Sequence, residues 1–289
     1  MSSFPDSPLF RFGVVADPQY AALAPNVAFN RYYANSLAKL SEAITEFNRA
    51  DLAFVVTLGD VIDGIWESFD AILPIYEKLR HPRYFLLGNH DFAVAPDRLA
   101  SVFARVGMRD SYYDFVVGDY RFIMLDGNEV SLFSSPENDP RRTLAEKRLE
   151  ALRCEGAINA HPWNASLGDV QFLWLRAVLK KARTAGERVI VMGHYPVYPP
   201  NEHNMWDAQR IVDLLVEHDN AVAYFCGHNH AGNFGTKDNT HFVNFKGMVD
   251  TADQNTFAIV GVYPDRLEIE GFGREESRIL PLTSMVLPG

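Results

Sequence analysis

The stretch Gly59-Asp60-Val61-Ile62-Asp63-Gly64 decides how this chain is read. It follows the apolar run at 53–58, so an aspartate stands where a buried strand should end. Working outward, four more motifs repeat the arrangement: Asp17-Pro18-Gln19, Gly88-Asn89-His90-Asp91, Gly193-His194 and Gly227-His228-Asn229-His230. Each follows its own short apolar run. A lone Gly-Asp is a turn, and a lone buried histidine is ordinarily a hydrogen-bonded core residue. Five donor-bearing strand ends in a fixed order point instead to metal binding. Of the nine histidines, His90, His194, His228 and His230 fall in the motifs. His81, His161, His218 and His241 read as surface or structural, and His203 is the strongest exception outside the motifs.

The 289 residues suit one domain spanning 1–289, and the 47% hydrophobic content allows a sizeable core. A net charge of -10 argues against a generic phosphate-backbone binder. Bound metal would neutralise part of that charge within the site. Two cysteines, Cys154 and Cys226, do not make a disulfide framework and read as reduced thiols, which predicts a cytoplasmic protein. The start, Met1-Ser2-Ser3-Phe4-Pro5-Asp6, lacks the pattern of a signal peptide, and no apolar run is long enough to span a bilayer.

Apolar runs predict strands at 12–16, 53–58, 84–87, 188–192 and 221–226. Helical spacing of Leu37, Leu40, Ile44 and Phe47 predicts an amphipathic helix over 27–49. Further helices are expected at 68–80, interrupted at Pro74, and at 96–106, 142–154, 170–184 and 205–218. Gly118-Asp119 predicts a hairpin between 112–117 and 120–125, and 240–245, 256–262 and 267–271 read as three antiparallel strands. The segment 127–166 is the least regular and reads equally as an insertion over a site or as a solvated excursion. The alternation predicts an α/β fold of two packed sheets with helices outside, its strand-end donors converging on one rim.

Asp17 and Asp60 offer anionic oxygen, Gln19 and Asn89 neutral oxygen, and His194, His228 and His230 imidazole nitrogen. Mixed nitrogen and oxygen donors suit manganese, iron, zinc or cobalt better than calcium. A carboxylate such as Asp60 can bridge two cations, a recurring solution for phosphoryl hydrolysis.

Taken together, the five motifs resemble the calcineurin-like metallophosphoesterase superfamily over roughly 10–272. The resemblance implies a four-layer αββα sandwich of two mixed sheets with a dinuclear site. One metal would take Asp17, Gln19, Asp60 and His230, and the other Asp60, Asn89, His194 and His228. His90 would face the phosphate without ligating. The first motif departs from the usual Asp-x-His: Gln19 is a harder, weaker donor, which favours manganese or magnesium over zinc. With Asp17-Pro18-Gln19-Tyr20, Arg31-Tyr32-Tyr33, His194-Tyr195-Pro196-Val197-Tyr198-Pro199 and Gly247-Met248-Val249-Asp250-Thr251, the chain is similar to the manganese-dependent ADP-ribose/CDP-alcohol diphosphatases. That similarity implies hydrolysis of a diphosphate bridge by a hydroxide held between two metals. His90 would stabilise charge on the phosphoryl oxygens or protonate a leaving oxygen.

Asp63 is expected to hold the loop after Asp60. Asp91 is expected to orient a histidine or else to face solvent. A nucleobase could stack on Tyr20, Trp66, Phe92, Tyr195 or Tyr198, with Trp206 and Phe234 also near a motif, while Arg31 and Asn128 are weaker phosphate or base contacts. The expected partner is a small-molecule phosphate ester, with no nucleic acid, membrane or obligate protein partner. Two alternatives stand beside this reading. One is a phosphodiesterase for cyclic nucleotides or glycerophosphodiesters, and the other is a non-catalytic binding module on the same fold.

Overall fold

The computed structural model describes residues 7–283, and the N-terminal stretch 1–6, which offers no signal-peptide pattern, lies outside them. Twelve strands run in chain order: β1 Phe10–Val15, β2 Phe54–Leu58, β3 Arg83–Leu86, β4 Tyr113–Val117, β5 Tyr120–Met124, β6 Arg188–Met192, β7 Ala221–Cys226, β8 Asn233–Lys237, β9 Thr240–Asn244, β10 Thr256–Val262, β11 Arg266–Gly273 and β12 Arg278–Pro281. The helices are α1 Ser36–Arg49, α2 Ser68–Tyr76, α3 Val102–Arg105, α4 Pro140–Glu155, α5 Asp169–Thr184 and α6 Ala208–Glu217. One sheet has the order β12-β11-β10-β1-β2-β3 and the other β4-β5-β6-β7-β9-β8. Both are mixed: β1, β2 and β3 run parallel, as do β5, β6, β7 and β9, with antiparallel strands outside them.

The two-residue period of the strands builds the layers. Phe12, Val14, Phe54, Val56, Phe122, Met124, Ile190 and Met192 point into the core between the sheets. Their neighbours turn outward: Val15 and Val55 meet Leu40, Ile44 and Phe47 of α1, and Ile123, Val189 and Val191 meet Leu175 and Leu179 of α5 and Ile211 and Leu215 of α6. Helix, sheet, sheet and helix form the expected four layers. No helix among the described residues is long and apolar enough to cross a membrane.

Several local expectations are corrected. The stretch 27–49 is helical in the α sense only from Ser36; before it come two 3-10 turns, with Asn30 left-handed at φ 56°. Residues 26–31 bend back on themselves, and Arg31 pairs with Asp250, so the chain is drawn out of the helix. Pro74 lies within α2 rather than interrupting it, and 96–101 is a 3-10 stretch ahead of the short α3. In the tail, β9 leaves the other antiparallel strands and runs parallel to β7 in the second sheet. Strands β8 and β12 have weak apolar patterns and escape the sequence reading. Both cysteines are free, Cys226 buried and Cys154 exposed.

Candidate metal centre

The parallel strands β1, β2, β3, β6 and β7 end on one rim, and each motif turns there. The turns are sharp: Asp17, Gln19, Asp60 and His228 all have positive φ, between 43° and 67°. Their glycines serve close approach. A Cβ on Gly88 would stand 2.1 Å from Asp60 Oδ1, and one on Gly227 would stand 2.6 Å from Asp17 Oδ2.

One set of donors converges around His194 Nε2. Asn89 Oδ1 lies 3.2 Å away, Asp60 Oδ2 3.4 Å and His228 Nδ1 3.2 Å. The other ring nitrogens are already engaged. His194 Nδ1 donates to the Leu58 carbonyl at 2.8 Å, and His228 Nε2 donates to Asn164 Oδ1 at 3.0 Å. The facing atoms are therefore lone pairs crowded on one point, which a cation would satisfy. The electrostatics agree. Burial pushes His194 down, but Asp60 and Asp17 outweigh it and raise its pKa to about 9, the same local demand for positive charge. Burial, reinforced by His194, drives His228 well below its ordinary value, so its ring is a neutral donor.

A second set shares Asp60. Donor atoms of Asp17, Asp60 and His230 lie within 4.8 Å of one another. His230 Nδ1 is tied to Asp250 Oδ1 at 2.9 Å, which leaves Nε2 facing Asp17 at 4.0 Å. Gln19 Nε2 donates to Asp63 Oδ1 at 2.7 Å, while its Oε1 is buried with no hydrogen-bond partner. An amide anchored by its nitrogen with an orphaned inward oxygen has the form of a neutral metal ligand. Burial lifts Asp17 to about 6 against the pull of His230 and His194. At Asp60 burial acts upward too, but His194 and His90 outweigh it and hold the carboxyl well below the usual range. Two fully buried carboxylates side by side fit divalent cations.

Asp63, expected to hold the loop after Asp60, reaches two other motifs with its carboxylate: the same Oδ1 that takes the Gln19 amide also accepts from His90 Nδ1 at 2.6 Å. Burial lowers the His90 pKa, but Asp60 and Asp63 outweigh it and raise it overall. Asp91 neither orients a histidine nor faces solvent. It is buried and accepts from the backbone N–H groups of Ile62 and Gly88, bracing two motif turns.

The cavity over this floor has a volume of about 390 Å³ and is lined by Phe29, Arg31, Asp60, Asn89, His90, Trp163, His203, His228 and His230. Arg31 and His203 were anticipated; the stacking candidates are displaced. Phe92 and Tyr20 are buried in the core under the first sheet, with Trp66 against it beneath Arg98. Tyr195 is fully buried edge-on to His194 and His228, its hydroxyl donating to Asn128 Oδ1, and Asn128 in turn donates to the Leu87 carbonyl. Both residues support the donors from behind. Tyr198 packs on Phe242, the Trp206 indole donates to the His161 carbonyl, and Phe234 stacks on His241. Instead Phe29 and Trp163 supply the exposed aromatic walls. Trp163 and Asn164 come from the irregular segment 127–166, which thus reaches the centre.

A family model described as calcineurin-like phosphoesterase matches residues 10–232. An Arabidopsis thaliana protein named manganese-dependent ADP-ribose/CDP-alcohol diphosphatase is 28% identical, over 96% of this chain and 98% of its own. A Bos taurus protein of the same name is 30% identical, over 94% of each chain. A crystal structure of a dimetal phosphatase from Danio rerio superposes with a TM-score of 0.86 at 25% identity, covering 96% of this chain and all of that one.

Proposed function

The chain belongs to the calcineurin-like phosphoesterase family, and on that premise we propose that it hydrolyses the diphosphate bridge of nucleoside diphosphate esters of the ADP-ribose and CDP-alcohol class. The observation that carries the reading is the pair of donor sets sharing Asp60 beneath a cavity with aromatic walls. Asp17, Gln19, Asp60 and His230 would hold one divalent ion, and Asp60, Asn89, His194 and His228 the other, with manganese favoured by the oxygen donor Gln19 and by the relatives' names. Such a pair lowers the pKa of water and neutralises charge on phosphoryl oxygens.

The remaining steps belong to the chain. Arg31 is the one arginine or lysine among the lining residues and would meet the phosphate away from the floor. Phe29 and Trp163 would take the base on its faces. Asp63 holds His90 through Nδ1, leaving Nε2 to donate to a phosphoryl or leaving oxygen. A nucleoside monophosphate leaving group, with a second pKa of about 6, departs without needing that proton. Asn164 and Asp250 fix which nitrogen of His228 and of His230 is free.

The test strips the protein of metal and restores manganese, magnesium, iron, zinc or cobalt in turn. Each form is assayed on ADP-ribose, CDP-choline, cyclic AMP and bis(p-nitrophenyl) phosphate. Release of AMP and CMP as the dominant activity, greatest with manganese, is expected. A strong preference for cyclic AMP or the diester would overturn the reading in favour of a phosphodiesterase.

A further inference from the structure

We propose that Lys39 is a positioning residue for both the metal centre and the cavity wall, acting through the segment 247–251; the inference rests on the two-ion reading above. Lys39 lies on the buried face of α1 and is 5% exposed. Its ammonium donates to three carbonyls of that one segment: Met248 at 3.0 Å, Asp250 at 2.7 Å and Thr251 at 2.7 Å. Three acceptors converging on one buried point match the three donors of an ammonium group, and no apolar side chain could satisfy them.

The segment so held touches each part of the site. Its Asp250 carboxylate engages His230 Nδ1. Its Val249 N–H donates to the Asp17 carbonyl at 3.0 Å, so it also braces the first motif. On its other side it pairs with the cavity wall: Tyr32 N–H donates to the Val249 carbonyl and Thr251 N–H to the Asn30 carbonyl, each at 2.9 Å. Phe29 and Arg31 ride on that wall. The segment is also strained. Thr251 is β-branched yet sits at φ 66°, a conformation that persists only where the surroundings impose it. Lys39 grips the carbonyl of that residue. One side chain outside the cavity thus sets a histidine donor and the position of the substrate wall together.

Lys39→Met removes the three donors at similar volume. Manganese binding is followed by the EPR signal of the free ion, and steady-state constants are measured at saturating manganese. The wild-type protein should bind two ions. In Lys39→Met one of the two should weaken about 10- to 100-fold while the other keeps its affinity, as happens when the support of a metal-binding histidine is lost. KM should rise more than kcat falls, because Arg31 and Phe29 shift with the segment. Asp250→Ala should weaken the same ion, and the double variant should lose less than the two single losses combined, because the Asp250 contact is disturbed in both while only the brace on Asp17 is separate. Wild-type ion affinity and KM in Lys39→Met, with only the melting temperature lowered, would reduce Lys39 to a core residue and overturn the inference. Additive losses in the double variant would also overturn it. If Lys39→Met does not fold, Lys39→Gln, which keeps a donor, takes its place, with an intermediate weakening expected and none refuting. A wild-type protein binding fewer than two ions would fail the two-ion reading itself, a result separate from any behaviour of the variants.

Discussion

Replacing Asp63 with alanine removes one oxygen that serves two masters. Asp63 Oδ1 accepts from Gln19 Nε2 at 2.7 Å and from His90 Nδ1 at 2.6 Å, and the side chain is 16% exposed. Each is a charge-assisted bond worth about 1.5–3 kcal/mol, and the partial exposure places both near the lower figure. Losing about 1.4 kcal/mol of orientation at each partner is a factor of about ten at each. The Gln19 share should appear in manganese affinity and the His90 share in turnover. Asp63→Ala should therefore lose about 100-fold in activity on ADP-ribose at limiting manganese and about 10-fold at saturating manganese. His90→Ala should show no rescue by manganese. At saturating metal the double variant should be no slower than His90→Ala, because the remaining Asp63 contribution runs through His90. Full recovery of Asp63→Ala by excess manganese would refute the His90 half. No recovery would refute Gln19 as a ligand, and a double variant slower than His90→Ala would refute the shared route.

Other outcomes follow from the same geometry. His90→Ala should slow alkyl phosphodiesters more than nucleoside diphosphate esters, whose leaving group needs no proton, and equal losses on the two would rule out an acid role. Gly88→Ala would drive a Cβ to within 2.1 Å of Asp60 Oδ1 and 2.5 Å of the His194 ring, so manganese stoichiometry by calorimetry should drop below two. Trp163→Ala should raise KM about 10-fold with kcat nearly kept, as stacking on a base is worth roughly 1–3 kcal/mol, whereas Tyr198→Ala, outside the cavity lining, should leave KM unchanged. Burial, aided by Glu129, pushes the Asp126 carboxyl up to about 7. Native Asp126 thus keeps its proton between about pH 4 and 7, where the unfolded chain has lost it, and stability falls as pH rises through that window. Asp126→Asn should match wild type near pH 4 in urea unfolding and exceed it at pH 8 by at most about 4 kcal/mol; identical curves at both pH values would refute this.

The clustering of the motif residues at one rim was legible because each follows a strand too apolar to be anything but buried, and a polar group placed there must have a partner. The aromatic walls were not, because closeness in sequence to a motif is not closeness in space. Phe92 comes two residues after His90, but a 3-10 turn there swings it into the core. Phe29 reaches the cavity on a bend stabilised by pairing with residue 250, a contact with no local signature. Asn164 follows no apolar strand, so nothing in its surroundings marks it as the partner of His228. Tyr195 and Asn128 were found by proximity but sit behind the donors, where a fully buried tyrosine hydroxyl needs an acceptor and the Asn128 amide supplies one.

The left-handed turns carry a further consequence. Asp17, Gln19, Asp60 and His228 each occupy a backbone region that costs a non-glycine residue on the order of 1–2 kcal/mol. An ion arriving late would be a poor sole remedy, since it would have to impose four such turns at once. The chain supplies the remedy itself: Gln19 N–H donates to the Asp60 carbonyl at 2.6 Å, His90 N–H to Asp60 Oδ1 at 2.9 Å and His228 N–H to the Asp17 carboxylate at 3.1 Å. The motif backbones are thus locked to one another across both sheets, which should set the candidate donors before any cation binds. Metal should then stabilise the protein only by mass action, rising with the logarithm of ion concentration over its dissociation constant. Chelation should leave the far-ultraviolet circular dichroism intact while lowering the melting temperature. A chelated protein that loses its secondary structure would show that the ions, not the hydrogen bonds between the motifs, hold the turns.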